Sequence, residues 1–283
     1  MYGENEMEYP LYEKAKILLE NEYQNVFNIV KDSPYHKTFI DEKIRHSFQV
    51  SGAGNGILAQ EPYFQNKSDE FIDICKTAIL LHDVYRFREV LGWFESGQKI
   101  DHGEKGAELL STLKDFNNIL ITLPVKHHGH MIEDLYNDAL YQSLDEKTKD
   151  EVKYIIFAVR DADKIANWNL LKNEWEKVES IWLANPDDFS LAQAKISRWL
   201  WKYFIRQEVS PNRFRKTNAD TMISVICWLF DINYDYSIFY AQKLNLFDGL
   251  CDILKRLHVE DEEIEKVRSV IQDYVVKKFK IQI

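Results

Sequence analysis

Apolar residues recur at helical spacing along nearly the whole chain, and few residues interrupt the pattern. Only 10 glycines and 6 prolines occur among 283 residues, so the intervals between helix-breaking positions are long. Within these intervals the apolar side chains recur three and four positions apart rather than at every second position, which is typical of amphipathic helices and not of strands. The sequence therefore predicts an all-α fold, with helices over residues 8–30, 36–61, 68–90, 103–115, 117–128, 145–168, 170–184, 191–207, 218–232 and 260–279.

The chain can bury a substantial core, because 45% of its residues are hydrophobic and its length suits one large domain or two ordinary ones. We expect a helical core over residues 1–170 and a helical extension over residues 171–283 that packs on it. One continuous domain is the alternative.

The net charge limits the partners that the chain can bind. The sequence contains 36 Lys and Arg against 46 Asp and Glu, which gives a formal charge of -10. Such an acidic excess argues against a binder of nucleic acid polymers or of anionic membranes. An anionic small molecule would need a local lining of basic residues.

Three further features bear on the compartment. The first ten residues, MYGENEMEYP, lack the apolar segment of a signal peptide, and the longest apolar stretches are shorter than the roughly 20 residues of a membrane-spanning helix. Cys75, Cys227 and Cys251 each lie in an apolar run and form no CxxC pair, which argues against a disulfide framework or a structural zinc knuckle. We expect a cytoplasmic protein without a membrane partner.

Three of the predicted helices carry a histidine or an aspartate on their apolar face. The apolar stripe of the third helix leads to His82, which Asp83 follows directly, while His46 and Asp163 lie on the stripes of two other helices. A buried imidazole or carboxylate is costly unless it is hydrogen-bonded, paired or bound to a metal. Several such groups in one core therefore indicate a divalent cation between them, although any one of them alone is more often a hydrogen-bonded core residue.

Three segments of the chain together resemble the H…HD…D pattern of the HD superfamily of metal-dependent phosphohydrolases. They are His46, the sequence LLHDVYR at 80–86 and the sequence RDADKI at 160–165. The resemblance implies an HD-type helical bundle in which His46, His82, Asp83 and one aspartate of the DAD triplet bind a metal.

The residues themselves favour Asp163 as the ligand from that triplet. Asp163 continues the apolar face of its helix, whereas Asp161 lies about 160° away around the axis. Asp161 is then a catalytic group that supports the ligands or faces the substrate, or it is a solvated acid.

Histidines between the HD pair and the last aspartate resemble the extra ligands of two-metal members of the superfamily. They are His102 in DHGEKGAELL and the pair His127 and His128 in VKHHGH. An apolar stripe leads to His127, so we take His102 and His127 as ligands, with His128 as a fifth imidazole ligand or a proton donor. The alternative is that His102 caps a helix and the pair lies on the surface, which leaves one metal; His130 is expected to face solvent.

The resemblance implies one or two divalent transition-metal ions as cofactor, with Mn, Fe, Co, Ni and Zn as candidates and Mg as a further one. Such an ion lowers the pKa of a bound water from 15.7 toward about 7 and polarises a phosphoryl oxygen. Cations must then neutralise the phosphate, and we predict that Arg86 and Lys126 contact the substrate. Asp83 and Lys164, which adjoins Asp163 in the sequence, are the predicted catalytic residues. For each cation, the alternative is a solvated or salt-bridged surface residue.

The C-terminal third adds two segments of note. The sequence RWLWKYFI at 198–205 is expected to pack in the core or to form a dimer face, so a homodimer stays open. The basic sequence RFRKTN at 213–218 either reaches over the metal site to hold a phosphate or forms a solvated loop.

The preferred hypothesis is a phosphohydrolase that cleaves a phosphate ester or anhydride of a small metabolite, foremost a nucleotide, by metal-activated water. The chain lacks a GYP tripeptide after the paired histidines, and in this it departs from the cyclic dinucleotide phosphodiesterases of the superfamily. Two alternatives stay open. One is an HD-fold di-iron oxygenase that cleaves a C–C or C–P bond, and the other is a non-catalytic helical regulatory module that holds a structural metal.

Overall fold

The computed structural model describes residues 10–96, 100–188 and 190–280, and within these ranges the chain forms helices and no strand. The prediction of an all-α fold is confirmed. The α-helices, numbered in chain order, are α1 Leu11–Val30, α2 Pro34–Gln60, α3 Asp69–Leu81, α4 Arg86–Ser96, α5 His102–Thr112, α6 Ile119–His127, α7 Ile132–Tyr136, α8 Ala139–Ser143, α9 Glu146–Trp182, α10 Arg198–Ile205, α11 Asn218–Ile226, α12 Asp235–Lys243, α13 Leu246–Arg256 and α14 Asp261–Phe279. Short 3-10 helices span Asn212–Phe214 and Cys227–Asp231.

The chain divides into two compact units, residues 1–163 and residues 164–283. The division falls within α9, upstream of the boundary after residue 170 that the sequence suggests. No helix in the part of the chain that the structure describes is both long and apolar enough to cross a membrane.

Side-chain caps fix the starts of α3, α5 and α6, three helices that carry or directly precede predicted site residues. Ser68 accepts a hydrogen bond from the backbone N–H of Phe71 at the start of α3, and Asp101 accepts one from Glu104 at the start of α5. Asn118 caps α6 in the same way. Each cap satisfies a backbone donor that has no partner within its helix and contributes about 1 kcal/mol to its stability.

Two glycines let helices approach closely in the first unit. A Cβ atom on Gly54 of α2 would lie 2.7 Å from Cγ2 of Ile79 in α3. A Cβ atom on Gly103 of α5 would lie 2.6 Å from the backbone oxygen of Lys126 in α6. Both distances are too short for any larger residue, so these glycines bring α2 against α3 and the start of α5 against the end of α6.

The predicted third helix is interrupted where the HisAsp pair lies. Residues 82–85 form a turn between α3 and α4, in which the N–H of Val84 bonds to the carbonyl of Leu81 and that of Arg86 bonds to the carbonyl of Asp83. The apolar stripe continues past this turn, and for that reason periodicity alone does not detect it.

Other helix boundaries also differ from those that periodicity indicates. The predicted break near residue 169 lies instead at Glu174, which has non-helical dihedral angles within α9. The helices α7, α8, α12 and α13 were not predicted, although α13 carries apolar residues at positions 246, 247, 250, 251 and 254, a helical spacing that would have revealed it. Residues 8 and 9 of the first predicted helix lie outside the described ranges.

The second unit has its own core around α9 and α11. The indole of Trp168 is fully buried, donates its N–H to the carbonyl of Val225 at 3.1 Å and packs edge-on against Phe247. Every residue of α11 is buried, so this helix forms the centre of the unit.

Candidate metal centre

Six of the predicted site residues come together inside the first unit, on five different helices or the turns that follow them. They are His46 of α2, His82 and Asp83 after α3, His102 of α5, His128 after α6 and Asp163 of α9. Apart from His82 and Asp83, these residues lie far apart in the chain, and the packing of the helices brings them together.

The first group of ligand atoms belongs to His46, His82 and Asp83. One nitrogen or oxygen from each lies within 4.8 Å of the others, and all three residues are buried. Oδ1 of Asp163 borders the same group, at 2.9 Å from Nε2 of His46 and 3.8 Å from Nε2 of His82. Asp163, the aspartate predicted from the apolar face of α9, therefore lies beside this group.

The second group consists of Asp83, His102 and His128, whose ligand atoms also lie within 4.8 Å of one another. Oδ1 of Asp83 is 3.2 Å from Nε2 of His102 and 3.3 Å from Nε2 of His128. The other oxygen, Oδ2, is the one that lies 3.8 Å from Nε2 of His82. Asp83 therefore belongs to both groups and presents one oxygen to each.

His82 and His128 occupy equivalent positions at the ends of their helices. Each is the C-cap residue, and Nδ1 of each ring lies within 2.9 Å of the backbone carbonyl three residues earlier, at Ile79 and at Val125. Because a carbonyl can only accept, Nδ1 carries the proton and Nε2 keeps its lone pair. Each Nε2 is thus free to bind a cation on the side of Asp83.

Glu89 and Arg86 of α4 surround the second group. Oε2 of Glu89 lies 3.3 Å from Nδ1 of His102, and Nη1 of Arg86 donates to the same oxygen at 2.5 Å. Nε of Arg86 is 3.5 Å from Oδ2 of Asp83. Glu89 is only 1% exposed and orients the His102 ring so that Nε2 faces Asp83.

Burial keeps the imidazole of His82 neutral, and neighbouring groups keep the carboxylate of Asp83 ionised. Burial lowers the pKa of His82 to about 4, against the attraction of Asp83. Burial opposes ionisation of Asp83, but the charge of Arg86 and the neighbouring histidines hold its pKa well below the usual range. Neutral imidazole and ionised carboxylate are the forms that bind metals.

The donor set fits a divalent transition metal. Nε2 of His82 is buried and has no hydrogen-bond partner among the described residues, which is costly unless an ion or a water satisfies it. Imidazole nitrogens together with carboxylate oxygens are ligands that such metals accept. The residues present therefore suit one ion in each group, with Asp83 between them.

His127 lies elsewhere, contrary to the expectation that it is the second-site ligand. Its Nε2 is 2.9 Å from Oδ2 of Asp138, which also accepts from Nζ of Lys126 at 2.9 Å. The preference for His127 over His128 was wrong, because His128 caps α6 and its ring turns toward Asp83. The placement of both histidines on the surface was wrong as well, since both are buried.

Several other expected roles are also changed by local partners. Lys126 pairs with Asp138, and Lys164 pairs with Asp231 at 2.7 Å, so both cations are already neutralised by carboxylates. Asp161 has no exposed surface, which overturns its interpretation as a solvated acid. His130, which was expected to face solvent, is partly exposed, and its Nε2 lies 2.8 Å from Oδ2 of Asp101.

Two cations beside the site were not found from the sequence. The ammonium group of Lys43, one turn before His46 in α2, has a pKa lowered by burial and by the nearby charge of Arg86, against the attraction of Asp83 and Asp163. Its position three residues before a ligand histidine was the signal available. The guanidinium of Arg160 is buried and donates to the backbone carbonyls of His128 and His130, which fixes the chain after α6.

Comparison with known proteins gives one match. Residues 44–168 match the family model of the HD domain, a range that contains all six residues of the two ligand groups. Neither the search of curated proteins nor the search of solved structures returned a match.

Proposed function

Since residues 44–168 make the chain a member of the HD-domain family, we propose that it is a metal-dependent phosphohydrolase acting on a small phosphorylated metabolite. Proteins with this domain are generally metal-dependent hydrolases. The observation that carries the proposal is the placement of Asp83, whose two oxygens face two separate sets of imidazoles. A carboxylate so placed suits a two-metal centre for phosphoryl chemistry.

The ligands divide between two ions. His46, His82, Asp83 and Asp163 would hold the first, and Asp83, His102 and His128 the second. When bound, divalent ions supply Lewis acidity and lower the pKa of a coordinated water, so that a nucleophile is available at neutral pH. The protein orients His82 and His128 through the carbonyls of Ile79 and Val125.

Cations beside the ligand groups favour a phosphate substrate. The positive charges of Arg86 and Lys43 attract the carboxylates of Asp83 and Asp163. A guanidinium can form two parallel hydrogen bonds to phosphate oxygens, and an ammonium adds a point charge. We propose that Arg86 and Lys43 bind the phosphoryl oxygens, and that the substrate is a nucleotide.

The test combines metal analysis with a substrate panel. The purified protein is analysed for metals and then assayed for phosphate or pyrophosphate release from nucleotides and sugar phosphates. We expect about two metal ions per chain, release that a chelator abolishes, and recovery on addition of Mn or Co. Metal-loaded protein that releases no phosphate from any compound on the panel would overturn the assignment.

A di-iron oxygenase is the second candidate, because the centre offers four imidazoles and two carboxylates, a set that also suits iron. It predicts bound iron and oxygen uptake with an organic or phosphonate substrate, without phosphate release. Tight metal binding with neither activity would instead indicate a regulatory module with a structural metal.

A further inference from the structure

A short part of the second unit is strongly basic, in contrast to the chain as a whole. Residues 195–216 contain seven Lys and Arg and a single acid, Glu208, whereas the complete chain has a net charge of -10. The whole-chain charge led us to expect no nucleic acid polymer as partner, but that charge is an average and does not describe this segment.

The cations of this segment share one exposed surface. Arg198, Lys202 and Arg206 follow one another at four-residue spacing along α10 and its C-cap, so they lie on one side of the helix, and all three are exposed. The opposite side of α10, with Leu200 and Phe204, is fully buried.

Aromatic stacking brings the loop after α10 to the same surface. The ring of Phe214 stacks on that of Trp199 at 5.8 Å between centroids and contacts Tyr203 at 5.5 Å. Arg213 lies over the Phe214 ring, and Lys202 lies over the Trp199 ring. Trp199 is nevertheless 55% exposed.

The cations on this surface are not paired with any carboxylate of the described residues. Among the described residues no ion pair involves Lys195, Arg198, Lys202, Arg206, Arg213, Arg215 or Lys216. Elsewhere in the same unit, Lys266 pairs with Glu262 and Arg256 pairs with Glu176. The positive charge of residues 195–216 is therefore available to an external anion.

Two further contacts shape this basic surface. Thr217 donates its hydroxyl to the carbonyl of Lys195, which places Lys195 beside Lys216. Arg215 is turned inward and donates to the hydroxyl of Ser224 at 2.9 Å, so the loop is anchored. Glu263 of α14 accepts a hydrogen bond from the indole N–H of Trp201, on another side of α10.

We propose that this surface, formed by the exposed cations of residues 195–216 with Trp199 and Phe214, binds a single strand of nucleic acid. Exposed cations next to the exposed Trp199 ring match the two needs of single-strand binding, which are phosphate neutralisation and base stacking. A membrane surface would not need stacking, and an acidic peptide would need only the charges. The proposal does not depend on the activity of the metal centre.

Fluorescence anisotropy with a labelled oligodeoxythymidine tests the proposal in the full-length protein. The logarithm of the association constant should fall linearly with the logarithm of the salt concentration. The triple variant Arg198→Gln, Lys202→Gln, Arg206→Gln should reduce the slope by about 2, because each phosphate that the protein neutralises adds about 0.7 to it. The matched control is Lys255→Gln, Arg256→Gln, Lys266→Gln, which removes three cations from the same unit and should leave the slope unchanged.

The variant Trp199→Ala separates stacking from charge. It should weaken binding about 5- to 100-fold, the range expected when one base is no longer stacked, and leave the salt slope unchanged. Equal affinity for polyglutamate, or preferential binding to vesicles with phosphatidylserine, would overturn the proposal. So would an oligonucleotide affinity that the α10 triple variant does not change.

Discussion

The two ligand groups that share Asp83 are built differently. On one side, His46, His82 and Asp163 come from α2, from the end of α3 and from α9, far apart in the chain. On the other side, His102 and His128 come from the start of α5 and the end of α6, two neighbouring short helices. The first group depends on the core of the unit, whereas the second depends on how two helix ends meet.

This difference implies that the second ligand group can be disrupted while the first stays intact. The start of α5 sits directly on the backbone of Lys126 through Gly103, and Arg160 fixes the carbonyls that follow α6. Small changes at these positions would move His102 or His128 while α2, α3 and α9 stay packed. Substitutions in one ligand group should therefore affect metal binding in that group and not in the other.

Asp83→Asn should have the largest effect, because it removes the one charge that both groups share. We expect both metals to be lost and hydrolysis to fall by about 1000-fold or more, since the chemistry depends on the metals for several kcal/mol. Metal content and kcat are the measurements, with circular dichroism as the check on folding. Full turnover in this variant would show that the site is assigned wrongly.

His128→Ala should remove only the second metal. Its imidazole faces Oδ1 of Asp83, so metal content should fall from about two ions to about one and kcat should drop with it. The matched variant is His127→Ala, which removes the neighbouring imidazole that contacts Asp138. This variant should keep both ions. If the two variants lose metal equally, the distinction between these neighbours is incorrect.

Glu89→Gln should weaken the second metal without removing a ligand. The carboxylate holds Nδ1 of His102, and removal of such an outer partner costs about 10- to 100-fold in metal affinity. Titration with Co²⁺, followed by its visible absorption, measures the two affinities separately. Glu108→Gln on the exposed face of α5 is the control and should change neither; an unchanged second affinity in Glu89→Gln would remove Glu89 from the site.

The same comparison shows how far the sequence leads. His46, His82 and Asp163 could be predicted because each continues an apolar stripe within a long helix, where periodicity determines the buried side. His128 was predicted only as a fifth ligand or a proton donor, because it caps α6 and its direction is set by a bond from Nδ1 to the carbonyl of Val125. The stripe pointed to His127, and the bond at the helix end places the adjacent residue in the site.

Charged residues show a similar limit. Lys126 and Lys164 were expected to face the phosphate because they adjoin site residues in sequence, but the carboxylates that neutralise them, Asp138 and Asp231, lie in other segments. Long-range pairing of this kind leaves no periodic trace. For the same reason Glu89 was missed, since only the fold brings α4 against His102.

Arg86→Gln should reduce kcat/KM by about 10- to 100-fold while both metals stay bound. Its guanidinium lies beside Asp83 without being a ligand, and a charge-assisted hydrogen bond to phosphate contributes about 1.5–3 kcal/mol. Steady-state kinetics together with metal analysis is the measurement. Loss of metal in this variant would show that Arg86 supports Asp83 rather than the substrate.

Lys126→Gln should have the smallest effect, although this residue directly precedes the histidine pair. Its ammonium group pairs with Asp138, which Nε2 of His127 also contacts. The charge of Lys126 is therefore already neutralised by a carboxylate other than Asp83. A partly exposed pair of this kind contributes less than about 1 kcal/mol to stability. We expect unchanged metal content and kcat/KM and a small decrease in the midpoint of urea unfolding. A fall in kcat/KM comparable to that of Arg86→Gln would mean that Lys126 leaves Asp138 to bind substrate, and the distinction between the two cations would then fail.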